Sequence, residues 1–213
     1  MTRPPSPLIA QLASELEPVR PVRMAHGRAL LALSVAATIG VVALGLGLWS
    51  GPLHGEATGM FFVANALIGL VGLVAALAVI RMAGPRVGAR QDGARWLLAA
   101  LAILPMTAVI LAAIEGQIDW HEHATHGLEC FVAGTGSGAL VAVALVAWLR
   151  RGAPVTLNIA GFYTGVATGA LGSFAYGLTC PVDSIGHLGI WHVAPVALSA
   201  ALGRFIVPHW VRW

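Results

Sequence analysis

All twelve arginines of this chain fall on one side of a six-helix layout read from six long apolar runs. The runs cover about residues 29–49, 60–80, 96–114, 130–149, 155–177 and 188–207. Each approaches the roughly 20 apolar residues that a bilayer-crossing helix needs. Arg3, Arg20, Arg23 and Arg28 precede the first run, and Arg81, Arg86, Arg90 and Arg95 lie between the second and third. Arg150 and Arg151 separate the fourth from the fifth, while Arg204 and Arg212 end the chain. The links 50–59, 115–129 and 178–187 contain none, and six of the nine acidic residues lie in them: Glu56, Glu115, Asp119, Glu122, Glu129 and Asp183. Positive charge marks the cytoplasmic side. The expected fold is therefore all-α, an integral membrane bundle of six transmembrane helices with both termini cytoplasmic. In a bacterium the host membrane is the inner one.

Composition agrees. The chain is 58% hydrophobic and 10% charged, with a mean hydropathy of +0.83. Soluble domains carry about 25% charged residues. The net charge of +3 does not point to nucleic acid, because the arginines sit at helix ends and form no continuous stripe. No direct nucleic-acid contact is expected; membrane lipid is. Residues 1–28 are proline-rich and lack the apolar core of a secretory signal, so the first span is expected to be retained. The expected division is a cytoplasmic segment, 1–28, and a six-helix membrane domain, 29–213.

Inside the fifth run Gly161, Gly165, Gly169, Ser173 and Gly177 recur every four residues. Such a ladder of small residues lets a neighbouring backbone come close. The fourth run carries Gly134 and Gly138, and the short link 150–154 forces an antiparallel hairpin with the fifth. Ordinary packing within the chain and a homodimer face both fit the ladder. No run has a charge near its centre, which weighs against an ion pathway.

The hairpin bears on the chain's two cysteines, Cys130 and Cys180. About 20 residues descend from Cys130 and about 25 climb back to Cys180, a mismatch of roughly 7 Å at 1.5 Å per residue. Both thiols then lie at the non-cytoplasmic face, in an oxidising compartment. A permanent staple and a switching pair are equally compatible with this. Placing Cys130 at a helix start would favour its thiolate, which Glu129 would oppose. The preceding stretch, IEGQIDWHEHATHGLEC, supplies a candidate metal set of His121, Glu122, His123 and His126. On a helix, Glu122, His126 and Cys130 share one face. Imidazole, carboxylate and thiolate suit zinc, cadmium or copper, whereas a solvated polar loop is the plainer account. His187 and His192 could approach from the other loop. No resident cofactor is expected, only transient capture of a soft ion at Cys130 and Cys180.

At the amino end, SPLIAQLASELEPVRPVR reads as a short amphipathic helix. Ser6 can cap it, with Pro7 at its first position. Ile9, Leu12 and Leu16 form a stripe with Leu8 beside it, and Pro18 ends the segment before Val19. Such a tethered helix suits a hydrophobic groove in a partner or a membrane surface.

The segment LIAQLASELEPVRPV, the six-run layout, the two cysteines about 50 residues apart and the CPVDSIGHLGIWH stretch together resemble the NrsF family. Its members are multi-pass bacterial anti-sigma factors paired with extracytoplasmic-function sigma factors. The resemblance implies a non-enzymatic, membrane-held inhibitor. Its tail residues Leu8, Ile9, Leu12, Leu16, Pro18 and Val19 would hold the sigma factor, and Cys130 and Cys180 would sense oxidants or thiol-reactive heavy metals. Two other classes compete. A membrane thiol–quinone oxidoreductase would usually need a second dithiol or a CxxC, and a small metal transporter would want buried charge.

Overall fold

The computed structural model describes residues 6–15, 22–85, 92–115 and 120–212. Among these it is all-helical, with no strand. The elements are α1 (Pro7–Ser14), α2 (Met24–Leu46), α3 (Gly51–His54), α4 (Gly59–Met82), α5 (Asp92–Leu101), α6 (Ile103–Glu115), α7 (Trp120–Ser137), α8 (Ala139–Leu149), α9 (Leu157–Gly177), α10 (Ile185–Trp191) and α11 (Ala194–Val211). Four helical stretches are long and apolar enough to cross a membrane: Met24–Leu46, Gly59–Met82, His126–Leu149 and Ile185–Val211. Leu98–Leu111 is a shorter apolar helix. Each of the six apolar runs thus meets helix.

Proline sets where two of these helices break. A proline ring clashes with the carbonyl four residues earlier and offers no N–H to it. Pro105 stands four residues after Leu101, where α5 ends, so the interruption falls before the proline. Pro195 stands four residues after Trp191, where α10 ends, and itself occupies the first turn of α11. The break frees the His192 carbonyl, and the Ser173 hydroxyl donates to it at 2.7 Å.

α9 is the hub. Most of its residues are buried, and its small ladder faces α11. A Cβ on Gly161 would meet the Gly203 carbonyl, one on Gly165 that of Ser199, and one on Gly169 that of Pro195. The ladder is therefore filled from within the chain. On another side of α9, Gly172 lies against Gly134 and Gly138. A four-residue spacing drifts round a 3.6-residue helix. By Gly177 the ladder has left α11 and meets Asn65 of α4 and His192.

The arginine-bearing links lie together. The Ala153 amide donates to the Ala83 carbonyl at 2.8 Å. Trp148, fully buried, donates its indole N–H to the Ile80 carbonyl at 3.1 Å. Its ring packs on Gly27, where a Cβ would fall 2.6 Å from Trp148 Cε2. The end of α8 is thereby wedged against the first turn of α2.

α1 forms as its sequence predicts. Ser6 Oγ accepts from the Ile9 amide at 3.4 Å and Pro7 starts the helix. Leu8, Ile9 and Leu12 are 65%, 58% and 55% exposed, so the stripe is free on the described chain. The helix ends at Ser14. Leu16, Pro18 and Val19 lie outside the described residues.

Gly165→Val should destabilise the fold by about 2–4 kcal/mol, since the ladder leaves no room for added carbons. Gly40 of α2 has open space around it, and Gly40→Ala should be neutral or stabilising by up to about 1 kcal/mol. Thermal denaturation of both variants in detergent compares them directly.

Candidate functional site

Three parts of the chain bring one cluster together at the end of the bundle away from Trp148. Cys130 comes from α7, Cys180 from the turn after α9, and His187 and His192 from α10 and its C-cap. All four side chains are buried, and one ligand atom from each lies within 4.8 Å of the others.

The local sequence explains each placement. α9 ends in tight turns, with the Thr179 amide donating to the Tyr176 carbonyl and the Cys180 amide to that of Gly177. Pro181 then disfavours helical backbone at Cys180, so the chain leaves the helix there. Ser184 restarts it: its Oγ accepts from the His187 amide at 3.3 Å. His187 is thus fixed in the first turn of α10, and His192 sits where the Pro195 break ends that helix. Trp191 packs on Gly127 of α7, where any Cβ would collide with its ring. Asp183 Oδ2 accepts from the Thr58 amide at 2.8 Å, clipping the Cys180 loop to the start of α4.

The sulfurs of Cys130 and Cys180 are 3.8 Å apart and unbonded. Cys180 Sγ lies 3.5 Å from His187 Nε2, and Cys130 Sγ 3.8 Å from the Tyr176 hydroxyl. His192 stacks on Tyr176 with ring centroids 6.1 Å apart and meets the His187 ring edge-on at 5.4 Å. The hydrogen bond to Cys130, and then burial, push the Cys180 thiol above its ordinary range. Its protonated form is therefore favoured at neutral pH.

The hairpin prediction that the two cysteines meet is realised in this geometry. Two details differ. Cys130 is not at a helix start, because α7 begins at Trp120 and carries it in its third turn. The helix-dipole argument for its thiolate therefore does not apply. Secondly, His126 is exposed and stands outside the cluster. The side chains of His121, Glu122 and His123 lie outside the described residues. His187 and His192 are the histidines that converge. Their five-residue spacing matches no metal motif; the turn at Pro195 is what brings them to one place. Asn65 and Tyr176, beside the cluster, carry no sequence signal beyond being polar groups in apolar helices.

Diamide, which takes up the two hydrogens of a thiol pair, should convert Cys130 and Cys180 into an intramolecular disulfide. Non-reducing electrophoresis after unfolding and alkylation reads this as a band that either Cys130→Ser or Cys180→Ser removes. Maleimide labelling of Cys180 in the folded protein should stay slow at neutral pH and rise only well above the usual thiol range, because only the thiolate reacts.

A family model described as NrsF, negative regulator of sigma F, matches residues 12–213. The chain is 29% identical over 164 residues to the anti-sigma-F factor NrsF of Caulobacter vibrioides (strain NA1000 / CB15N), covering 72% of this chain and 73% of that protein. No solved structure matches the chain.

Proposed function

The chain belongs to the NrsF family, negative regulators of sigma F, and we propose that it is a membrane-held anti-sigma factor that releases its sigma factor when Cys130 and Cys180 meet an oxidant or a soft metal ion. The family match over residues 12–213 carries the anti-sigma part of this reading, and the approach of Cys130 to Cys180 supports the sensing part. The proposed membrane arrangement has six crossings of the bacterial inner membrane. Both termini and the arginine-rich links are cytoplasmic, and the cysteine cluster is periplasmic. The contact between the links at Ala83 and Ala153 supports placing them on one side.

In the resting state the cytoplasmic segment 1–28 holds an extracytoplasmic-function sigma factor. The exposed stripe of Leu8, Ile9 and Leu12 fits an apolar groove of that partner, and Leu16, Pro18 and Val19 extend it. The membrane domain, 29–213, carries the sensor. α7 bears Cys130, α8 continues it, and Trp148 at the far end presses on Gly27 at the root of the tail. A change at the thiols that shifts α7 thus reaches α2 through one packed column. Moving the tail from 1% to 99% release demands a preference of about 5.5 kcal/mol between the two states. A disulfide or a bound ion contributes to this only through the difference in its free energy between the two states.

A thiol–quinone oxidoreductase would need a second dithiol, and Cys130 and Cys180 are the chain's only cysteines. Quinone reduction by the purified protein would overturn the regulatory reading, as would metal uptake into vesicles for a transporter.

The full chain should co-purify with its sigma factor from membranes, and deletion of residues 2–20 should abolish this. Leu12→Asp should weaken binding by about tenfold or more. Replacing both cysteines with serine should keep the sigma factor bound and leave its target promoters uninduced by diamide or cadmium. Unchanged induction in that variant would refute the sensing role.

A further inference from the structure

We propose that Cys130, Cys180, His187 and His192 together form a closed four-ligand site for a divalent cation with a filled d shell, zinc or cadmium. The inference deepens the sensing role given above to the cysteines and rests on it, adding two histidine ligands and a class of ion.

Distances support the geometry. Around a tetrahedral zinc with bonds of about 2.3 Å to sulfur and about 2.05 Å to nitrogen, two sulfurs stand about 3.8 Å apart, and a sulfur and a nitrogen about 3.6 Å. The structure has 3.8 Å between Cys130 Sγ and Cys180 Sγ, and 3.5 Å between Cys180 Sγ and His187 Nε2. Two of the six edges thus match a coordination shell, and all four donor atoms lie within 4.8 Å of one another.

His192 is the independent observation. It is 1% exposed, and neither Nδ1 nor Nε2 has a hydrogen-bond partner. Burying an unsatisfied polar group is costly. Coordination would remove that cost at one nitrogen. For the other, Asn65 Oδ1 is a second buried atom without a partner. A Cβ on Gly177 would collide with Asn65 Oδ1 and come within 3.4 Å of His192 Nδ1, so both groups border the same glycine. Ligating histidines are commonly held by such an acceptor.

Charge selects the ion. Binding a divalent cation releases the two thiol protons, leaving two thiolates, two neutral imidazoles and no net charge. A neutral centre is tolerated in buried surroundings where an unpaired ion is not. Thiolate and imidazole suit zinc and cadmium, whereas calcium and magnesium require oxygen. Four protein ligands leave no open position, which fits a regulatory site rather than a catalytic one. The ion would tie α7 to the α9–α10 loop and to α10.

The test uses the purified full chain in detergent, reduced and stripped with chelator. Titration with cadmium chloride should show one ion bound and the ultraviolet charge-transfer absorption of cadmium thiolate. X-ray absorption of the zinc-loaded protein should give a mixed sulfur–nitrogen shell, two of each. His187→Gln and His192→Gln should each weaken cadmium binding by about tenfold or more while keeping the thiolate absorption. A shell of sulfur and oxygen alone in the unaltered protein, or unchanged affinity in both glutamine variants, would overturn the assignment. The absorption spectrum of the unaltered chain keeps the test decisive if a variant misfolds. These readouts do not involve the sigma factor. A failed site thus leaves the regulator standing, and a correct shell in a chain that holds no sigma factor would refute only the regulator.

Discussion

Contact between the backbones of α9 and α11 underlies everything else in this bundle. Inside a bilayer, apolar side chains gain little by leaving lipid for protein, so helices adhere through close packing and interhelical hydrogen bonds. Gly161, Gly165 and Gly169 remove the side chains that would keep the two backbones apart. Ser173 then closes the row with a hydrogen bond to the His192 carbonyl. That bond fixes the residue whose side chain enters the cysteine cluster. The turn that follows the same helix delivers Cys180. Packing and chemistry are thus parts of one element, and a change on the ladder would reach the site.

The two ends of the bundle differ in chemistry. At one end, buried sulfur and nitrogen converge from α7, the α9–α10 loop and α10. At the other, Trp148 is held between the Ile80 carbonyl and Gly27 in the first turn of α2. α7 and α8 run between them, joined at Gly138, which packs on Thr168 of α9.

Much of this was legible in the residues. The apolar runs predicted the helices, and the contact between the links at Ala83 and Ala153 agrees with the shared side that the arginines suggested for them. The four-residue ladder foretold close packing, because that signal is local and periodic. The cap at Ser6 and the start at Pro7 were equally local. What could not be read depended on tertiary context. Nothing in the sequence showed that α7 begins ten residues before Cys130, because WHEHATH is too polar to register as a continued apolar run. The joining of His187 and His192 depends on a break at Pro195, whose position is legible but whose direction is not. Asn65 sits in an apolar helix and becomes significant only beside Gly177 and His192.

The central claim is that the buried cluster governs the tail on the far side of the bundle. The most direct measurement is the fraction of sigma factor bound to the full chain in lipid nanodiscs before and after cadmium is added. The account predicts release from the unaltered chain at the cadmium concentration that saturates the thiolate absorption, and retention by the double serine variant. Saturation of the thiolate absorption with the sigma factor still fully bound would contradict it.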